Sequence, residues 1–323
     1  MADKLLEQNQ CMAVNEQPRR GWRDVPSSLP WVQALNNEMR AADTPVLTGK
    51  EVIIASDSSG LHRASPFEVL GLVVIDFDAS LKWAASRQIL RKHVLKDSRR
   101  MSFKKLDEPM RRNALIPFLR SADDIQGMCL CVGIHKGITT LGGPPELHQQ
   151  LTQTQILKAS WSQASFDRMS RTAHFISLII AGLLSEGQNI TWISDEDEMF
   201  ESLNKSEDTR RLISTFSSMY VKWKPGRLGI GTTKLDEGDR FEEDMSAIAD
   251  LSAGAFCEFL AMLHEQTGGQ VSAATDETSN GVLSGKADFL LSWLFDNSHS
   301  LKRISLVFDH RSDGKFRISR AGI

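Results

Sequence analysis

Two β-branched apolar runs, EVIIAS at 51–56 and FEVLGLVVIDF at 67–77, constrain this chain more than any other feature. The link between them carries Gly60 and Pro66, so the runs predict an antiparallel strand pair that starts a sheet. IQGMCLCVGIHK at 125–136, NITWIS at 189–194 and RLGIGTT at 227–233 read as further strands. Near the end, ISLVFDHRSDGKFRIS at 304–319 alternates apolar and polar residues about Asp313-Gly314, a hairpin signal.

Helical spacing of apolar residues fills most of the remainder. It appears at 81–95, at 108–122 with Pro117 as a bend, at 162–187 with Gly187 as the stop, around 208–220, through 242–264 and at 284–298. A strand directly after a helix, as NITWIS follows 162–187, favours parallel addition to the sheet. The expected class is therefore α/β, with a mixed sheet. Residues 1–48 include PRRGWRDVPSSLPW, whose prolines and tryptophans predict an irregular extension with aromatic anchors. That extension packs on the main body or presents a surface to a protein partner.

Composition excludes some classes. With 41% apolar and 24% charged residues the chain is globular, and a formal charge of −3 argues against a general polyanion binder. Cysteines 11, 129, 131 and 257 have neither zinc-ligand nor disulfide-framework spacing, and Cys129 and Cys131 fit one face of a buried strand. There is no apolar signal core and no continuous apolar run of about 18 residues, so the expectation is a cytoplasmic protein with no membrane contact.

The chemistry concentrates in acids. Asp57 ends the first strand and is followed by Ser58, Ser59 and Gly60, a setting that presents an oxygen ligand at a strand tip. Asp195 follows NITWIS within an acidic run that includes Glu196, and Asp250 lies among Leu251, Ala253, Gly254 and Ala255 on the long helix. Small residues there let the helix approach the sheet. Carboxylates converging from strand tips and a helix face can hold paired magnesium or manganese ions for phosphodiester hydrolysis. Each also has a plainer reading: a turn start for Asp57, a solvated helix start at 195–198, a satisfied polar group at Asp250.

The order SDSSG (56–60), FEVLGLVVI (67–75), WISDED (192–197), IADLSAGA (248–255) resembles the ribonuclease-H-like superfamily. It is similar in particular to the bacterial domain of unknown function 3800 family, which opens on Asp-Glu-Ser-Gly. The resemblance spans roughly 50–264 and implies a mixed sheet of about five strands with helices on both faces. It divides the chain into the extension 1–48, a ribonuclease-H-like domain over 49–281, and a helix and hairpin added at 282–323. It also implies a magnesium- or manganese-dependent nuclease with Asp57, Asp195 and Asp250 as catalytic ligands, in settings such as phage defence or mobile elements. This chain has Ser58 in place of the family's Glu, and 81–95 lacks the acid that superfamily nucleases carry on their first helix. Glu68 and Glu196 are the candidate substitutes.

Arg91, Lys92, Lys96, Arg99, Arg100, Lys104, Lys105, Arg111 and Arg112 face only Asp97, Asp107 and Glu108 in their segment, a basic stretch suited to phosphates. Lys104, Lys105, Arg99 and Arg100 are the nucleic-acid-binding candidates; a solvated helical face is the plainer reading. Two rival functions remain. One is a catalytically weak or inactive subunit of the same fold that binds nucleic acid or protein. The other is a haloacid-dehalogenase-type phosphatase, because VVIDFDAS at 73–80 approximates a strand with a nucleophile at Asp76 and an acid/base at Asp78.

Overall fold

The computed structural model describes residues 21–96, 99–139, 141, 143–144, 146–195, 198–236, 238–269, 271, 283–310 and 316–322. The strands are β1 (Glu51–Ser59), β2 (Phe67–Asp76), β3 (Gly127–His135), β4 (Asn189–Ser194), β5 (Leu228–Thr232), β6 (Leu301–His310) and β7 (Phe316–Ala321). The helices are α1 (Pro30–Ala41), α2 (Leu81–His93), α3 (Pro109–Ala122), α4 (Leu147–Gln153), α5 (Gln163–Leu183), α6 (Leu203–Tyr220), α7 (Phe241–Gln266) and α8 (Gly285–Leu294).

One mixed sheet runs in the order β5-β4-β1-β2-β3-β6-β7. β1 and β2 pair antiparallel from Val52 opposite Asp76 to Ser59 opposite Val69. β4 adds parallel to β1, and β5 parallel to β4. The sheet has seven strands rather than about five because the C-terminal hairpin continues it: β6 pairs parallel with β3, and β7 pairs antiparallel with β6. The Asp313-Gly314 turn lies outside the described residues.

Side-chain alternation sorts the sheet into two cores. Val52, Ile54, Leu70, Leu72 and Val74 face the side covered by residues of α1, α5 and α6. Ala55, Val69, Val73 and Ile75 face residues of α2, α3, α7 and α8. Cys129 and Cys131 are buried together on this second face. α7 is long and apolar enough to cross a membrane, yet 72% of its apolar window is buried within the protein, as expected of a core helix.

Of the expected irregular extension, only 21–48 is described; it contains a helix, and its tryptophans anchor it on the main body as expected. Pro30 sits in the first turn of α1, where its missing N–H costs nothing. Trp22, Trp31, Leu35 and Met39 are buried in the first core, and Trp22 Nε1 donates to Asn36 Oδ1 at 2.9 Å. α5 stops at Leu183, before Gly187, which takes φ +77° in the turn leading to β4.

Gly71 lets α7 lie close on β2. A Cβ there would stand 2.5 Å from the Ala249 carbonyl oxygen and 3.1 Å from Ala253 Cβ. Gly71→Val is expected to destabilise the protein by roughly 1–3 kcal/mol through overpacking, read from the urea midpoint. An unchanged midpoint would mean that α7 is free to move away from the sheet.

Candidate metal centre

Strand parity builds the site. Ile53, Ala55 and Asp57 point from β1 toward α7, as do Ile193 and Asp195 from β4 and its continuation. Ser56 pairs with Ser194, so Asp57 and Asp195 are the next residues along two neighbouring parallel strands. α7 crosses above them and carries Asp250. All three acids line one cleft of about 640 Å³, together with Arg100, Ser102, Phe103, Lys104 and Lys105. Glu196 lies outside the described residues.

Each carboxylate has its own setting. Asp57 Oδ1 accepts from the Ser58 N–H at 2.7 Å, and its side chain is only 17% exposed. Asp250 Oδ2 accepts from the Phe103 N–H at 2.9 Å. Arg100 stands among them, its Nη1 2.8 Å from Asp195 Oδ1 and its Nη2 3.8 Å from Asp57 Oδ2.

The electrostatics follow from this crowding. Burial first, then the charges of Asp250 and Asp195, push the Asp57 carboxyl up from 3.8 to about 7, against the Ser58 N–H and Arg100. Burial also raises Asp250, opposed by hydrogen bonds from Phe103 and Ser102 and by Arg100. Burial works against the Arg100 charge too, but Asp195, Asp57 and Asp250 outweigh it and hold the guanidinium protonated. Burial and mutual repulsion thus disfavour the charge on these carboxylates, a cost that a cation among them would relieve.

Part of the basic stretch holds the loop that carries Arg100. Arg111 Nε donates to the Arg100 carbonyl at 2.7 Å, and Arg91 Nη1 donates to the Arg99 carbonyl at 2.8 Å. Arg99 reaches Glu108 at 3.1 Å and does not line the cleft. Lys104 and Lys105, in a 3₁₀ turn, are exposed on the cleft lining.

Several other acids are placed elsewhere. Glu68 pairs with Arg171 at 2.6 Å on the opposite face of the sheet, which removes it as a substitute ligand. Asp76 accepts from the Thr48, Gly49 and Ala79 N–H groups, and Asp78 from those of Lys50 and Glu51. These bonds tie a strand end to its loops, so neither carboxylate is presented as a phosphatase nucleophile or acid. Glu258, absent from the sequence candidates, lines the cleft and accepts from Ser284 Oγ at 2.6 Å. Its signal was its position on α7, about two turns beyond Asp250.

Among the described residues, Asp236, Asp239 and Glu242 form the one acidic trio whose ligand oxygens all lie within 4.8 Å of one another. Asp236 accepts from the Gly238 and Arg240 N–H groups, and Asp239 binds Arg87 at 2.7 Å, so this trio fastens the start of α7. Asp57, Asp195 and Asp250 are not drawn together as tightly, with Arg100 reaching between two of them.

No family model matches the chain, and no curated protein matches it. The functional reading therefore rests on the site itself. Its donors are hard carboxylate oxygens, suited to magnesium or manganese, and Arg100 already stands in as a positive charge among them.

Proposed function

We propose that this protein is a divalent-metal-dependent nuclease that hydrolyses phosphodiester bonds of DNA or RNA. The observation that carries the proposal is the meeting of Asp57, Asp195 and Asp250, from three separate elements, in one cleft whose lining includes Lys104 and Lys105. Magnesium or manganese held by Asp57, Asp195 and Asp250 would polarise the phosphoryl oxygen and lower the pKa of the attacking water. The chain's own residues do the rest. Ser58 orients Asp57 and Phe103 orients Asp250 through their N–H groups, and Lys104 and Lys105 draw the phosphate backbone to the cleft. A cytoplasmic setting, in phage defence or a mobile element, belongs to the same proposal.

The second reading is a nucleic-acid- or protein-binding subunit without catalysis. It is favoured by the Arg100 bridge, which already neutralises part of the cluster. Incubating the protein with labelled single- and double-stranded DNA and RNA separates the two. The nuclease reading expects cleavage with magnesium or manganese and none with chelator. Binding without cleavage under every metal condition would favour the subunit.

Lys104→Ala with Lys105→Ala should weaken binding uniformly across sequences and lower the slope of log affinity against log salt by about 1 to 2. An unchanged slope would place the phosphate path elsewhere.

A further inference from the structure

Arg100 occupies a place that a metal reading must account for. Its guanidinium touches Asp195 and approaches Asp57, while its Nε, buried, has no hydrogen-bond partner. A guanidinium carries five donors, and a permanent structural tie commonly engages them in forked pairs. Here the approach to Asp57, at 3.8 Å, is beyond hydrogen-bond range. The Arg100 main chain is held, by contrast, because Arg111 grips its carbonyl at 2.7 Å and Arg91 grips that of Arg99 at 2.8 Å. A fixed backbone with an incompletely bonded long side chain describes an arm that can re-aim without the loop moving.

Two partners compete for that arm. Hard carboxylate oxygens suit a divalent cation, and a guanidinium fork fits a phosphate as well as it fits a carboxylate. Lys104 and Lys105 line the same cleft, so a guanidinium leaving Asp195 remains among groups suited to phosphate.

We infer that Arg100 is an exchangeable counter-ion: it neutralises Asp57 and Asp195 while no metal is bound, and a divalent cation releases it to pair with a substrate phosphate. This rests on the reading of the three carboxylates as metal ligands. Cation and phosphate then bind with positive coupling, since each removes a competitor of the other.

The test titrates Mn²⁺ calorimetrically into chelator-stripped full-length protein, with and without inorganic phosphate, for the wild type, Arg100→Gln, Arg100→Lys and Asp57→Asn. Thermal melts of each variant check folding. Arg100→Gln is expected to bind Mn²⁺ about tenfold more tightly than the wild type, the scale on which a neighbouring opposite charge alters a carboxylate's affinity for a positive ion. Arg100→Lys, which keeps the charge, should stay near the wild type. Phosphate should tighten Mn²⁺ binding in the wild type and lose that effect in Arg100→Gln. Equal or weaker Mn²⁺ binding in folded Arg100→Gln would overturn the inference; if Asp57→Asn alone then lost Mn²⁺, the metal reading would still stand. Absence of Mn²⁺ binding in all four proteins would remove both.

Discussion

Asp57→Asn is expected to lose metal-dependent cleavage by about 100-fold or more, beyond what loss of a partner outside the ligand shell costs. Its metal-free fold is expected to gain stability at neutral pH. In the folded protein the Asp57 carboxyl is raised from 3.8 to about 7, by burial first and then by Asp250 and Asp195. A raised carboxyl favours the protonated form, so its contribution is fully present below pH about 4 and is lost as pH rises through about 7. Charging Asp57 therefore opposes folding by up to ~4 kcal/mol at high pH, a ceiling that relaxation and water entry reduce. Melting in chelator should show wild-type stability falling across that window and a flatter profile for Asp57→Asn. Added Mn²⁺ should restore the wild type above neutral pH and leave the variant little changed. A variant that loses cleavage because it unfolds would not support the ligand role.

The largest expected effect on the fold itself is at Asp244. This residue is fully buried, with Arg87 Nη1 and Arg91 Nε each 3.0 Å from its Oδ2 and a further contact from Arg91 Nη2 to Oδ1. Arg87 is itself 1% exposed and also binds Asp239. These contacts lock the start of α7 onto α2, and α7 in turn holds Asp250 over the cleft. Asp244→Ala leaves buried guanidinium charge short of a partner and is expected to cost about 3–5 kcal/mol, measured by urea denaturation. Replacing Asp244 and Arg87 together with apolar residues of similar volume should recover part of that loss, because a buried ion pair adds little over good packing. A loss below about 1 kcal/mol for Asp244→Ala would mean that water reaches the network.

The sequence made local order legible where period and chemistry agree. EVIIAS and FEVLGLVVIDF pair as antiparallel strands because both faces of each are occupied by apolar cores, and NITWIS joins β1 in parallel. Asp57 and Asp195 were readable as strand-tip acids, and Asp250 as an acid on a small-residue helix face; the cleft contains all three. Pairing between distant segments was less legible. Nothing local in 304–319 says that β6 must lie beside β3, so the hairpin read as an addition when it is part of the sheet.

Short-range signals fell short at two places. The prolines of 18–31 suggested irregularity, although Pro30 opens α1. Within the basic stretch, spacing did not separate Arg91, Arg99 and Arg111, which brace the loop that carries Arg100, from Lys104 and Lys105, which are exposed on the cleft lining. Whether a charged residue meets solvent, an acid or a carbonyl depends on tertiary contacts that one-dimensional spacing does not encode.

The most direct measurement is anomalous diffraction from crystals of the wild-type protein soaked with Mn²⁺. A manganese peak coordinated by Asp57, Asp195 and Asp250, with the Arg100 guanidinium moved off Asp195, is the predicted result. A peak confined to Asp236, Asp239 and Glu242, or a cleft in which Arg100 still bridges the carboxylates at saturating Mn²⁺, would contradict it.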